Sequence, residues 1–448
     1  MQPAGFRVPF EEIDLENGMR VILSPDHTVP VVAVYVLYGV GARSEERGRS
    51  GFAHLFEHMM FQGTRYAPKG THFKLVESNG GSLNGSTHPD YTDYYETLPS
   101  NKLPVGLWLE ADRMRGLAIT EENLANQKAA VKEERRLSFD NQPYNSAIVD
   151  TWPELVFRNW SNAHSIIGSF EDLDAASVAD VARFFRTYYA PNNAVISVAG
   201  DIQVPEARKL IEHYFGDIPP QIQPAHPNLD EPERNEPRFA RHEDPHAQVP
   251  AVVLGWPGPP RKSEDYYALT MLDIILTGGD SSRFKLNLVK GRKSVIQFEA
   301  NLGWPFANYL DYKDPHAYCA LLLHTPAFTG RQVMEQVQEE ISKIQNDGVD
   351  PGEMERARTF FRSSRIIQLQ TALSRARRLA QYEFLDGDPD MVNIEEERFL
   401  AATPEAIRAA ARKYLVPAKL AVLEIVPAPK PPAAREPTPS AGSSEGGE

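Results

Sequence analysis

The sequence predicts an α+β protein made of two copies of one module, each with helices packed on a sheet. Three observations carry this expectation. At 448 residues the chain exceeds what one ordinary core organises. Ala175-Ala-Ser177 through Tyr188, Pro191 and an apolar run matches Ala401-Ala-Thr403 through Tyr414, Pro417 and a second apolar run at constant offset. Between the copies, the stretch from Pro219 to Pro237 is polar and proline-rich, as linkers are.

Local signals agree within each copy. Ser177 and Thr403 are natural N-caps for the helices that follow them. Pro191 and Pro417 end those helices before an apolar strand. The expected organisation is a first domain at 1–219, a linker at 220–237, a second domain at 238–427 and a disordered tail at 428–448. The tail's Pro, Ser, Gly and Glu leave it nothing to bury. Gly278-Gly-Asp-Ser-Ser-Arg283 invites comparison with phosphate loops but lacks their G-K-[ST] ending, so it reads as a turn into a helix at Phe284–Val289. Cys319 is alone, which excludes an internal disulfide, and in Ala317-Tyr-Cys-Ala-Leu-Leu-Leu it reads as a small buried hydrophobe.

Composition narrows the function. Hydrophobic content of 42% with 24% charged residues is that of a soluble globular protein. A net charge of −14 argues against a nucleic-acid partner and favours basic peptides at long range, an effect that salt erases. The longest apolar run, Val29 to Ala42, is too short and too strand-like to cross a bilayer. No basic-then-apolar leader opens the chain. The expectation is a soluble protein without a membrane span, cytoplasmic or periplasmic.

The chemistry concentrates in His54-Leu-Phe-Glu57-His58. Residues four apart share a helix face, so two imidazoles can address one cation, with a carboxylate beside them. This order, H-x-x-E-H, inverts the common zinc-protease helix and is itself a metallopeptidase signature. A catalytic zinc wants three protein ligands, so a third donor must come from elsewhere. The polar stretch from Glu121 to Leu137, free of proline and glycine, predicts a long helix downstream. The remaining histidines, His27, His72, His88 and His164 among them, show no ligand spacing and read as surface or loop residues.

With these segments the chain resembles the M16 peptidases, the group of pitrilysin, insulin-degrading enzyme and mitochondrial processing peptidase. The likeness extends through Gly39-Val-Gly-Ala-Arg43-Ser-Glu45, Gly51-Phe-Ala-His54, Phe61-Gln-Gly63-Thr64 and Asn84-Gly-Ser-Thr87-His-Pro-Asp90-Tyr-Thr92-Asp-Tyr94-Tyr95, with family-like segments to about residue 427. It implies two similar halves with mostly antiparallel sheets, the LuxS/MPP-like metallohydrolase fold. It implies one Zn2+ held by His54, His58 and a glutamate about 75 residues on, with Glu57 as the catalytic base. Glu134 and Glu133 both stand near that place. Relatives carry another glutamate seven residues before the ligand; Gln127 is the nearer stand-in, which selects Glu134. The resemblance further implies that Asn84, Gly85, Ser86 and Thr87 form an edge strand that binds an extended peptide, whereas composition alone allows a glycine-rich turn.

No second H-x-x-E-H follows residue 220, so the second domain is expected to be noncatalytic. In the family a distal half supplies an arginine and a tyrosine that grip substrate. Here Leu288 to Glu299 is the counterpart, with Phe298 where tyrosine is expected and no arginine at the usual spacing before it. The resemblance therefore implies a zinc endopeptidase acting on oligopeptides or unstructured polypeptides, paired with a related zinc-less subunit or with a second copy of itself. The alternative is a noncatalytic assembly subunit of the processing-peptidase type.

Overall fold

Strand β1 (Glu11–Asp14), β2 (Arg20–Pro25), β3 (Val31–Tyr38), β4 (Ser82–Thr87), β5 (Thr92–Pro99) and β6 (Ala194–Gly200) form one sheet in the order β1-β2-β6-β3-β5-β4. A second sheet takes β7 (Arg238–Asp244), β8 (Ala251–Pro257), β9 (Val295–Leu302), β10 (Ala317–His324) and β11 (Ala421–Pro427) in the order β7-β11-β8-β10-β9. With β1 set aside, the two sheets thread their strands identically. Each has one parallel pair, β2 with β6 and β7 with β11, and is otherwise antiparallel. The α+β expectation and the internal repeat are met in this shared topology. The computed structural model describes residues 6–305 and 311–429, so the tail expected from 428 lies outside the described residues apart from its first two positions.

Both repeated helices begin as their sequences predict. Ser177 accepts a hydrogen bond from the Asp180 backbone at 3.2 Å, and Thr403 accepts one from Ala406 at 3.1 Å. Pro191 and Pro417 open short 3-10 turns that feed β6 and β11. The segment after Arg283 is helical, Phe284–Gly291, with π-type winding. Cys319 is buried within β10. Among the described residues no helix is long and apolar enough to cross a membrane.

Period-two alternation explains why the central strands are apolar on both faces. Along β3, Val32, Val34, Val36 and Tyr38 enter the core shared with the first half's own helices. Ala33, Tyr35 and Leu37 point the other way, onto Ala376, Leu379 and Ala380 of the helix Ala372–Asp386. That helix belongs to the second half of the chain. The exchange is mutual: Val252 and Leu254 of β8 face the second half's own helices, while Ala251 and Val253 meet Ile148, Trp152 and Val156 from the first half. Each sheet is thus sealed on one face by a helix from the other half, which fixes the halves against each other and leaves a cleft between β4 and β9.

Candidate metal centre and cleft

The helix Phe52–Met59 carries the inverted motif. It starts at Gly51, whose φ of 80° lies in the left-handed region, and a Cβ there would sit 2.7 Å from the Ile167 carbonyl oxygen. Only glycine suits that corner. Its first N–H groups are capped from a distance by Glu45, which accepts from Gly51 at 2.9 Å and Ala53 at 2.8 Å. A carboxylate at this end also complements the helix dipole. His164 supports Glu45 through an Nε2–Oε2 contact of 2.9 Å. Burial raises the Glu45 carboxyl even against that partner.

One histidine expectation needs correction. His164 lies in a loop as expected, with its side chain only 5% exposed. His72 is buried in the helix Thr71–Ser78, and burial pushes it well below its ordinary value. Lack of ligand spacing says nothing about burial, which tertiary packing decides. His27 is exposed, and His88 is half-buried in the β4–β5 loop with Nε2 3.2 Å from Asp93 Oδ2.

Phe52, Leu55, Phe56 and Met59 pack into the core, so His54 and His58 emerge on the opposite side of the motif helix. Their rings lie 4.8 Å apart, centroid to centroid. Facing them is the helix Glu121–Arg135, opened by Thr120, whose hydroxyl accepts from Asn123 at 3.1 Å. Glu134 Oε2 lies 3.6 Å from His54 Nε2 and 3.2 Å from His58 Nε2. Glu133 points elsewhere and pairs with Arg136 at 3.2 Å on the surface. The Gln127 side chain reaches His58 from the same helix.

These three donors fit a tetrahedral divalent ion. Bonds of 2.0–2.1 Å at tetrahedral angles put ligand atoms roughly 3.3 Å apart, and the two separations from Glu134 bracket that value. Burial, aided by His58, pushes His54 down to about 4, so it is a neutral donor at pH 7. Its buried Nδ1 has no hydrogen-bond partner. The His58 hydrogen bond holds Glu134 below its ordinary value, as an ionised donor. Burial presses His58 down, but its bond to Glu134 and the nearby carboxylates outweigh that and hold it up.

Glu57 stands beside this trio. Thr87 Oγ1 donates to its Oε2 at 2.7 Å, and burial raises its carboxyl above the ordinary range. Glu57, His54 and Glu134 open onto a cavity of about 650 Å³. Of the expected edge-strand residues, β4 is indeed an edge, and Ser86 and Thr87 line this cavity. Gly85 is buried, and Asn84 is exposed with its Oδ1 accepting from the Gly85 backbone.

The opposite wall comes from residues that sequence reasoning missed. Gln297 and Glu299 on β9 and Trp304 after it line the cavity, as do Tyr144 and Ile148. Phe298, placed in the sequence reading as the counterpart of a substrate-gripping tyrosine, faces away and packs on Phe284 with centroids 5.8 Å apart. Strand alternation allows only one set to face the cleft. Strict alternation around Phe298 was the available signal.

Comparison with known proteins gives matches over both halves of the chain. The family model for insulinase (peptidase family M16) matches residues 20–168, and that for the peptidase M16 inactive domain matches residues 175–361. The chain is 26% identical over 382 residues to the zinc protease PqqE of Helicobacter pylori, covering 83% of each chain. It is 26% identical over 372 residues to an uncharacterized zinc protease, YmxG, of Bacillus subtilis, covering 83% of this chain and 87% of that one. The crystal structure of a protease from Helicobacter pylori superposes with a TM-score of 0.87 at 24% identity, over 94% of this chain and all of the other, a likeness of fold.

Proposed function

Because the chain belongs to the M16 peptidase family, we propose that it is a zinc-dependent endopeptidase that cleaves oligopeptides or unstructured polypeptides. The observation that carries this reading is the convergence of His54, His58 and Glu134 beside Glu57 at the edge of a roomy cleft. His54, His58 and Glu134 would hold the zinc. Zinc, when bound, supplies Lewis acidity, lowering the pKa of water to about 7 and polarising the scissile carbonyl.

The remaining chemistry falls to the chain's own residues. Glu57 takes the proton from the attacking water and returns it to the leaving amine. Burial raises its carboxyl, which makes it the stronger base for the first of those transfers. The open edge of β4 offers backbone groups to an extended peptide, which suits tolerance of sequence. A cleft between two sheets admits an extended strand more readily than a folded domain.

Among the described residues the second half offers no cluster of metal-ligating side chains, and its match to the inactive-domain model supports a noncatalytic role. Among the described residues Phe298 is turned away from the cleft, which supports assigning the chain as the zinc-bearing subunit of a dimer with a related, zinc-less subunit or a second copy. The test is hydrolysis of a fluorogenic peptide by zinc-loaded protein, with and without such a subunit. Glu57→Gln is expected to retain zinc and lose at least roughly 100-fold in rate. Full turnover by that variant refutes the assignment.

A further inference from the structure

We propose that Gly85 and Thr87 of β4 form a seat for the Glu57 carboxylate, which makes Thr87 a positioning residue for hydrolysis and not a substrate contact. The chemical consequence rests on the endopeptidase reading above. The seat itself is a matter of packing.

Residues two apart on a strand share a face, so Gly85 and Thr87 both point at the motif helix. Their register is fixed by pairing with β5, Gly85 opposite Tyr94 and Thr87 opposite Thr92. At Gly85 a Cβ would lie 3.1 Å from Glu57 Cγ and 3.1 Å from Tyr94 Cδ1. The Glu57 side chain therefore runs through the space that a missing methyl leaves, with the Tyr94 ring as the far wall. Backbone strain is not the reason for glycine here; room is.

Beyond that slot, Thr87 Oγ1 reaches Glu57 Oε2 at 2.7 Å. Among the described residues no other hydrogen bond meets this carboxylate. A glutamate has three side-chain torsions to fix, and a threonine is stiff at its first. One rigid donor and one tight slot therefore determine where the carboxylate stands, leaving Oε1 without a hydrogen bond among the described residues. Placement at this level matters because a misplacement of about 1 Å can cost roughly 100-fold in rate.

Three zinc-loaded variants test the seat. Thr87→Val removes the donor at constant shape, and kcat is expected to fall roughly 10- to 100-fold with KM and zinc content unchanged. Thr87→Ser keeps the hydroxyl and is expected to recover most of that loss. Gly85→Ala presses on Glu57 Cγ and is expected to lower kcat in the same selective way. A crystal structure of Thr87→Val reads the seat without any turnover, and the Glu57 carboxylate is expected to leave its place. An unmoved Glu57 overturns the proposal, as does a raised KM at unchanged kcat, which would mark Thr87 as a substrate contact. A zinc-loaded wild type without hydrolysis counts against the endopeptidase reading instead, and the crystallographic comparison still decides the seat.

Discussion

His58 Nε2 lies 3.2 Å from Glu134 Oε2, a contact between two helices that the chain separates by the whole of β4 and β5. Each group shifts the other toward its charged form: His58 is raised by Glu134 against the effect of burial, and Glu134 is lowered chiefly by His58. A divalent cation placed between them would satisfy both donors and His54 at once.

Replacing Glu134 should therefore separate it from its neighbour. In chelator-competition titrations Glu134→Gln is expected to bind zinc at least roughly 100-fold more weakly, beyond the 10–100-fold typical of supporting residues. Glu133→Gln, altered on a surface pair with Arg136, is expected to bind as wild type does. Equal losses in both variants would contradict the assignment of the third donor.

The exchanged helices predict a stability effect far from the cleft's chemistry. Trp152 is 1% exposed and joins the first half to the sheet of the second. Trp152→Ala removes its contacts and leaves a cavity, at about 3–5 kcal/mol. The urea midpoint should fall accordingly, and a midpoint within error of wild type would show that this packing is not what couples the halves. The midpoint is the right quantity, since two coupled modules need not unfold in one step.

Asp273 predicts a pH dependence. It sits in the helix Glu264–Thr277, and burial raises its carboxyl from 3.8 to about 7 despite a hydrogen bond from Thr277. The folded state thus holds a proton that the unfolded state releases between those values. The stability that Asp273 contributes is fully present below about pH 4, declines as pH rises to about 7, and is gone above it. The loss is on the order of 4 kcal/mol. Asp273→Asn, compared with wild type in denaturant titrations at pH 5 and pH 8, should remove this part of the decline and be the more stable protein at pH 8. An unchanged pH slope would contradict a buried, protonated Asp273.

The readable features were the local ones. His54, Glu57 and His58 lie within one helical turn and a half, so spacing alone placed them on one face. Ser177, Thr403 and the two prolines marked helix ends through interactions spanning a few residues. Glu134 was reached only through resemblance, because no spacing rule joins two helices so far apart in the chain. The seat under Glu57 depends on the register of β4 against β5, and the helix exchange depends on packing between halves. Neither leaves a local trace in the sequence. Phe298 shows the cost of this limit: an aromatic residue in about the right place, one strand position away from the face that lines the cleft.

The most direct measurement is anomalous diffraction at the zinc edge from crystals of this chain soaked in zinc. The account predicts a single strong peak within about 2.0–2.2 Å of His54 Nε2, His58 Nε2 and a Glu134 oxygen. No peak there, with the Glu134 side chain turned away from both histidines, would contradict it.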